Sequence, residues 1–504
     1  MSFFLEIRLL INLTKNQLKS QNGKRKRNTT ESAPAVAAPS VPTKKLKPTA
    51  TPKTNSSKPT TIQIITGSYD RVLHGITTTI RSDDDVQFAD TFLFNAHTSA
   101  IRTLALSPPS APVPKQSQKI ILATGSTDER INLYHISAHP PSKISVPAIP
   151  SLTAKAVVEN PQNRELGSLL HHASSITALY FPTRSKLMSS AEDSTIAVTR
   201  TRDWSLLSTI KAPIPKAVGR PSGDTAPLGG QPSGVNDFAV HPSMKLMLSV
   251  GKGEKSMRLW NLVTGKKAGV LNFEREMLVE VGEGRFSSGE GRRVAWGNTK
   301  EGGEEFCVGF EKGILVFGMD CKVRCKVVPT PRSKIHQLSY VQVGDDEDSQ
   351  VLAVSTEDGR ILFYSTNAGD VETTKAAEGK SQPIPAAKLF AQLGGKDSGV
   401  TGRIKDFAVL NIGEGSSRDI LIVAASSDGA VRLYKLSAVN DLAQVGESVN
   451  QVGKLIGTYE TGNRVTCLKA FVMLPTPEGA EDEEIEINEE EDEESADSSS
   501  DDSE

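Results

Sequence analysis

Residues 422–434 read IVAASSDGAVRLY, two short apolar arms on either side of a Ser-Ser-Asp-Gly turn. β-Branched and aromatic residues favour extended backbone, and Asp-Gly suits a tight reversal, so the stretch predicts a hairpin. The same grammar recurs at 64–76 (IITGSYDRVLHGI), 121–134 (ILATGSTDERINLY), 187–199 (LMSSAEDSTIAVT), 246–260 (LMLSVGKGEKSMRLW), 306–317 (FCVGFEKGILVF) and 351–364 (VLAVSTEDGRILFY). Aligned on the turn, the acid is Asp70, Asp128, Asp193, Glu254, Glu311, Asp358 and Asp428. Three residues on stands an apolar side chain each time: Leu73, Ile131, Ile196, Met257, Ile314, Ile361 and Val431. Six residues on come Ile76, Tyr134, Thr199, Trp260, Phe317, Tyr364 and Tyr434, mostly aromatic.

A lone hairpin is barely stable, so seven of them must stack on neighbours. Further strand-like pieces lie between them, among them AHTSAIRTLAL (96–106), HHASSITALYF (171–181), SGVNDFAVHP (233–242) and GRIKDFAVL (402–410). Each repeat then holds four strands, the content of one propeller blade. The sequence thus predicts an all-β, seven-bladed β-propeller over residues 61–475, with a disordered basic tail at 1–60 and a disordered acidic tail at 476–504. Turn acids lie 47 to 70 residues apart, more than the ~40–45 of compact arrays of this kind. The excess falls near 137–163, 211–233, 275–292 and 371–400, which read as surface loops. No strand-like segment precedes the first hairpin, whereas two follow the last. Residues 464–473 are therefore expected to supply the missing inner strand of the first blade and close the ring.

The formal net charge of −2 conceals strong local fields: +10 over residues 1–60, +3 over 61–480 and −15 over 481–504. Lys24, Arg25, Lys26 and Arg27, followed by Lys44, Lys45 and Lys47, read as a nuclear localisation signal or a nucleic-acid-binding arm. The acidic tail is too charged and too poor in apolar residues to fold alone. In it Ser498 and Ser499 each have an acid three residues on and suit phosphorylation. Met1 to Leu13 is too short to span a membrane and carries Glu6 and Arg8, so the expectation is a soluble intracellular protein.

Catalytic patterns are missing from this reading. There is no GxxxxGK[ST], HExxH or GxSxG string, and the Gly-rich stretches GGQPSG and GEGRFSSGEG lack a strand-to-helix setting. Cys307, Cys321, Cys325 and Cys467 form neither a disulfide framework nor a zinc pattern. No catalytic residue, cofactor or metal is expected. The turn acids are assigned structural roles, hydrogen-bonding within their blades. His97, Asp128 and Ser126 are expected to share one such network, and His171 and His172 to belong to the turn leading into a strand. Next to the turn acids stand cations, Arg71, Arg130, Lys255, Lys312 and Arg360, which form a candidate partner-binding rim.

His97 ahead of ATGSTD, and RLWNLVTGK around Trp260, resemble the WD40 repeat. VNDFAVHPSMKLMLSVGKGEKSMRLWNLVTGKKA (235–268), GSYDRVLHGI (67–76) and STEDGRILFYST (355–366) together resemble one WD40 subfamily. It is that of the animal p21-activated-kinase-interacting protein and its fungal killer-maintenance relative. The resemblance implies a nuclear, nucleolar scaffold in large (60S) ribosomal subunit assembly and pre-rRNA maturation. Its partners would be pre-60S proteins and pre-rRNA, or a p21-activated kinase held in check. A rival from another class is a substrate receptor of a cullin-type ubiquitin ligase. Such receptors often carry Asp-x-Arg after the Trp position; here Trp260 is followed by NLV and Tyr434 by KLS.

Overall fold

The computed structural model describes residues 59–476 except 82–83, 115, 142–159, 161, 215–232, 285–286, 300–302, 344–349, 373–382, 413–418, 438–440, 443–444 and 447. The strands form seven antiparallel sheets, each a blade of four strands running from the central channel outward; blade 6 adds a short parallel fifth strand, Asn450–Gln451. Blade 2 shows the plan: Ile101–Leu106 is innermost, then Lys119–Ser126, Ile131–Ser137 and Arg164–Leu169.

The repeat spacing explains how the blades stack. Residues three apart on a strand point to opposite faces. The residue three after the turn acid therefore meets the next blade, and the residue six after it meets the preceding one. Met257 packs with Phe306 and Val308 of blade 5, whereas Trp260 packs with Met188 and Ile196 of blade 3. Ile361 likewise faces blade 7 and Tyr364 faces blade 5. Seven apolar clusters result, one at each blade junction. Each fully buried Leu, Ile or Phe contributes roughly 1.5–3 kcal/mol, so the ring is stabilised junction by junction.

Closure occurs where the sequence placed it. Val465–Val472 pairs antiparallel with Thr60–Ser68 as the innermost strand of blade 1. Lys454–Glu460 completes blade 7 on its outer edge. The clasp is bonded at both ends: the Met473 amide donates to the Thr61 carbonyl at 2.8 Å, and the Arg464 amide to Asp70 Oδ2 at 3.0 Å.

Two of the expected surface loops are more than loops. Within 371–400, Lys388–Gly394 is the fourth strand of blade 6, with Phe390, Ala391 and Leu393 buried. Within 275–292, Arg275–Glu280 forms a short helix whose Leu278, with Val281 just after it, packs into the junction of blades 4 and 5. In both, a few apolar residues inside a polar stretch find a free edge or junction to cover, and burial decides their structure.

Candidate interaction face

All seven hairpin turns, and the two ends of every connection from one blade to the next, lie on one face of the disc, because each blade begins and ends there. The turn acids on this face have different partners from blade to blade. In blade 2, Asp128 accepts the amides of Thr98 (3.0 Å) and Arg130 (3.1 Å) and meets His97 Nδ1 at 3.1 Å, while His97 Nε2 meets Thr124 Oγ1 at 2.7 Å. The hydroxyl bonded to His97 is thus Thr124, while Ser126 joins the network by accepting the Asp128 amide at 3.3 Å and donates to the carbonyl of Ala100 at 2.8 Å. Ser126 points toward the connection, and Thr124 lies one pleat deeper on the same strand face. Blade 3 repeats the network with His172, Asp193 and Ser189. Burial holds His97 below the usual imidazole range, so it stays neutral at pH 7. Burial opposes ionisation of Asp128, yet His97 and the two amides outweigh it and keep the carboxyl charged.

Blades 6 and 7 use arginine instead. Arg360 donates to Asp358 at 2.6 Å and 2.9 Å, and Arg432 reaches Asp428 at 3.4 Å. Gly359 and Gly429 follow these acids with φ of 84° and 94°, a left-handed turn position that glycine adopts without strain.

Blades 4 and 5 carry glutamate in the turn. Glu254 is held by Arg258, and Glu311 by Arg292 (3.1 Å) and Lys334 (3.2 Å). Their turn amides are capped from the 275–292 segment: Glu283 accepts from Glu311 (2.9 Å) and Lys312 (3.2 Å), and Glu290 from Gly253 (2.8 Å). A glutamate in the turn has one methylene more than aspartate; Glu254 reaches the buried Arg258 of its own blade and Glu311 the cations of the flanking connections, which leaves the amides to another carboxylate.

Nearer the axis, the inner strands bulge by one residue as they leave this face, at Arg102, Thr177, Asn236, His336, Lys405 and Thr466. Bulges re-aim side chains. Thr466 Oγ1 donates to Ile101 O (2.6 Å), Thr177 Oγ1 to Val235 O (2.6 Å) and Asn236 Nδ2 to Gly291 O (2.9 Å), each reaching the next blade. Lys405 reaches back instead, its Nζ 3.4 Å from His336 Nε2. Burial, and then Lys405, Lys334, Arg293 and Arg403, push His336 down to about 4. Lys405 is also lowered, by burial first and then by Arg403, against the opposing pull of Glu357.

No family model matches the chain. It is 26% identical over 421 residues to the p21-activated protein kinase-interacting protein 1-like of Danio rerio, covering 83% of each chain. It is 25% identical over 431 residues to protein MAK11 of Saccharomyces cerevisiae, across 81% of this chain and 82% of the relative. Shk1 kinase-binding protein 15 of Schizosaccharomyces pombe is 24% identical over 314 residues, 60% of this chain and 69% of its own. The chain is a relative of the kinase-interacting proteins and MAK11. Its fold is a WD-repeat propeller, and the alignments to the first two relatives cover 83% and 81% of this chain.

On this WD-repeat disc the five rim cations are not equivalent. Arg71, Arg130, Lys255 and Lys312 are exposed. Arg360 is tied down by Asp358 and by the carbonyls of Thr330 (2.9 Å) and Pro331 (3.3 Å), so its charge serves the blade. Sequence reasoning missed the cations of the connections and the channel rim, Arg332, Lys334, Arg403 and Lys405. Their signal was the position just before or inside each inner strand. The basic clusters at Lys24–Arg27 and Lys44–Lys47, with Ser498 and Ser499, lie outside the described residues. The four cysteines are buried and unpaired; burial pushes Cys321, Cys325 and Cys467 up to about 12, which leaves the thiols protonated and unreactive. Among the described residues no group of three or more His, Cys, Asp or Glu side chains could hold a metal ion, and no helix is long and apolar enough to cross a membrane.

Proposed function

We propose that the protein is a non-enzymatic assembly scaffold of the nucleus and nucleolus, working in 60S ribosomal subunit biogenesis and pre-rRNA maturation. The observation that carries this reading is the match to protein MAK11 along most of both chains, together with the subfamily resemblance of residues 235–268. The chemistry of the disc agrees. In blades 2 and 3 a buried histidine and the turn acid satisfy one another, which rigidifies the surface. The basic tail supplies an import signal and a hold on RNA, and the acidic tail a counterpart for cationic ribosomal proteins. Of the exposed turn cations, Lys255 and Lys312 of blades 4 and 5 form part of the docking rim.

A second reading, binding and restraint of a p21-activated kinase, is favoured by the kinase-interacting and kinase-binding names of several relatives. Affinity purification of the tagged full-length protein, with mass spectrometry and RNA analysis, separates the two. Pre-60S factors with large-subunit rRNA precursors support the scaffold. A kinase alone transfers the assignment to the second reading, and cullin adaptors alone would overturn both.

A further inference from the structure

A pocket of ≈ 500 Å³ opens on the turn face between blades 5 and 6. The blade 5 turn (Glu311, Lys312), the connection Arg332–Lys334, the blade 6 turn (Glu357, Asp358), and Lys396 and Thr401 line it. We infer that this pocket recognises a phosphorylated, acidic peptide segment of a partner, an inference that rests on the scaffold reading and names its ligand chemistry.

The charge balance is the first argument. Each carboxylate in the pocket is already neutralised: Glu311 by Arg292 and Lys334, Glu357 by Arg403 at 3.1 Å, and Asp358 by Arg360. Among the described residues Lys312, Arg332 and Lys396 form no ion pair, and all three are exposed. The second argument is the rim behind Lys334, where His336 and Lys405 face each other at 3.4 Å. Arg293 from blade 5, Lys334 from the connection, and Arg403 beside Lys405 add positive charge, and Glu357 is the carboxylate that opposes it. Like charges gathered at a partly buried site are the signature of a place that an anion would relieve.

The lining also selects among anions. No lining residue is aromatic, and single-stranded nucleic acid is ordinarily held on aromatic stacking platforms. Carboxylates interleaved with the cations would repel a continuous phosphate backbone, whereas one phosphoryl group flanked by acids can settle between them. Two hydroxyls are available to donate to phosphoryl oxygens. Ser333 accepts the Asp358 amide at 3.2 Å and keeps its proton for a ligand, and Thr401 is exposed.

The test uses the full-length protein and three labelled probes: a short Ser/Asp/Glu peptide carrying one phosphoserine, its unphosphorylated twin, and a short single-stranded oligouridine. Anisotropy should show the phosphopeptide binding at least about tenfold tighter than its twin, and weakening as salt rises. The triple variant Lys312→Ser/Arg332→Ser/Lys396→Ser, whose residues are exposed, should lose about tenfold in affinity with an unchanged melting temperature. Equal affinity for the two peptides, a loss of oligouridine binding in the triple variant as large as that of the phosphopeptide, or wild-type affinity in a folded triple variant would each overturn the inference. If the triple variant still co-purifies with pre-60S particles while peptide selectivity is absent in wild type, the pocket assignment fails and the scaffold reading stands.

Discussion

Blades 2 and 3 on one side of the turn face, and blades 6 and 7 on the other, meet the same physical demand with different chemistry. Each must satisfy the hydrogen-bonding demand of a turn aspartate. The first pair uses a histidine, a serine or threonine hydroxyl and backbone amides. The second uses arginine. Either way the acid is satisfied, so the turns themselves leave little charge. The surplus on the side of blades 5 to 7 arises elsewhere, on the connections and the channel rim, where Arg332, Lys334, Arg403 and Lys405 converge. The lesson is that a turn-centred view finds the scaffold of this face, whereas its working charge lies between the turns.

That comparison presupposes a closed ring, and breaking the ring should have the largest effect. Deleting residues 455–504 removes the outer strand of blade 7 and the inner strand of blade 1, and should give aggregated protein or a lost cooperative melt. Deleting 477–504 should leave thermal unfolding nearly unchanged. Equal melting of both truncations and the full chain would refute the clasp.

Next in size are the buried carboxylates. Asp406, 5% exposed, accepts from the amides of Phe407 (2.9 Å) and Leu468 (2.9 Å) and from Gln337 Nε2 (3.1 Å), joining blades 6, 7 and 1. Asp406→Ala should cost about 3 kcal/mol in denaturant unfolding, and Asp128→Ala, which frees His97 and two amides, about 2 kcal/mol. A loss below ~0.5 kcal/mol at Asp406 would show that the blade junctions hold without it.

The pH response sharpens the contrast further. Burial, and then His172, lowers His171 to about 4, and His336 falls to the same value among its cations. A base whose folded pKa is depressed adds stability above its unfolded value of about 6.5, and that stability is lost as pH falls toward 4. Melting temperature should therefore drop from pH 7 to pH 4.5. His171→Gln and His336→Gln should each flatten the drop, and phosphopeptide should reduce it only where His336 is present. A melting temperature constant over that range would contradict the assignment of neutral histidines.

Smallest in stability is the exposed rim. Lys255→Glu/Lys312→Glu touches no apolar strand, so unfolding should change by less than ~0.5 kcal/mol, while association with an anionic partner weakens. A large loss of stability would mean that these lysines hold the turns.

Much of the fold was legible because the hairpin repeat encodes both faces of each strand. Met257 and Trp260, three residues apart, already specified contact with two different blades. The clasp was legible by elimination, since no strand-like segment precedes Thr60. The helix Arg275–Glu280 and the strand Lys388–Gly394 were not, because their few apolar residues lie in polar stretches and acquire structure from the junctions they cover. The site was the least legible part. Glu283 capping a turn 28 residues away, and Lys405 facing His336 across a sequence separation of 69, are products of the ring's closure rather than of local pattern.

The most direct measurement compares charge reversal on the two sides of the turn face. Full-length Arg332→Glu/Lys396→Glu and Arg71→Glu/Arg130→Glu would be co-sedimented with pre-60S particles over a salt series, with circular dichroism confirming the fold of both. The account predicts that the first variant dissociates at clearly lower salt than wild type, because screened contacts to an anionic partner are lost, and that the second follows wild type. Equal losses in both variants, or wild-type behaviour of the first, would contradict the claim that blades 5 to 7 carry the working charge.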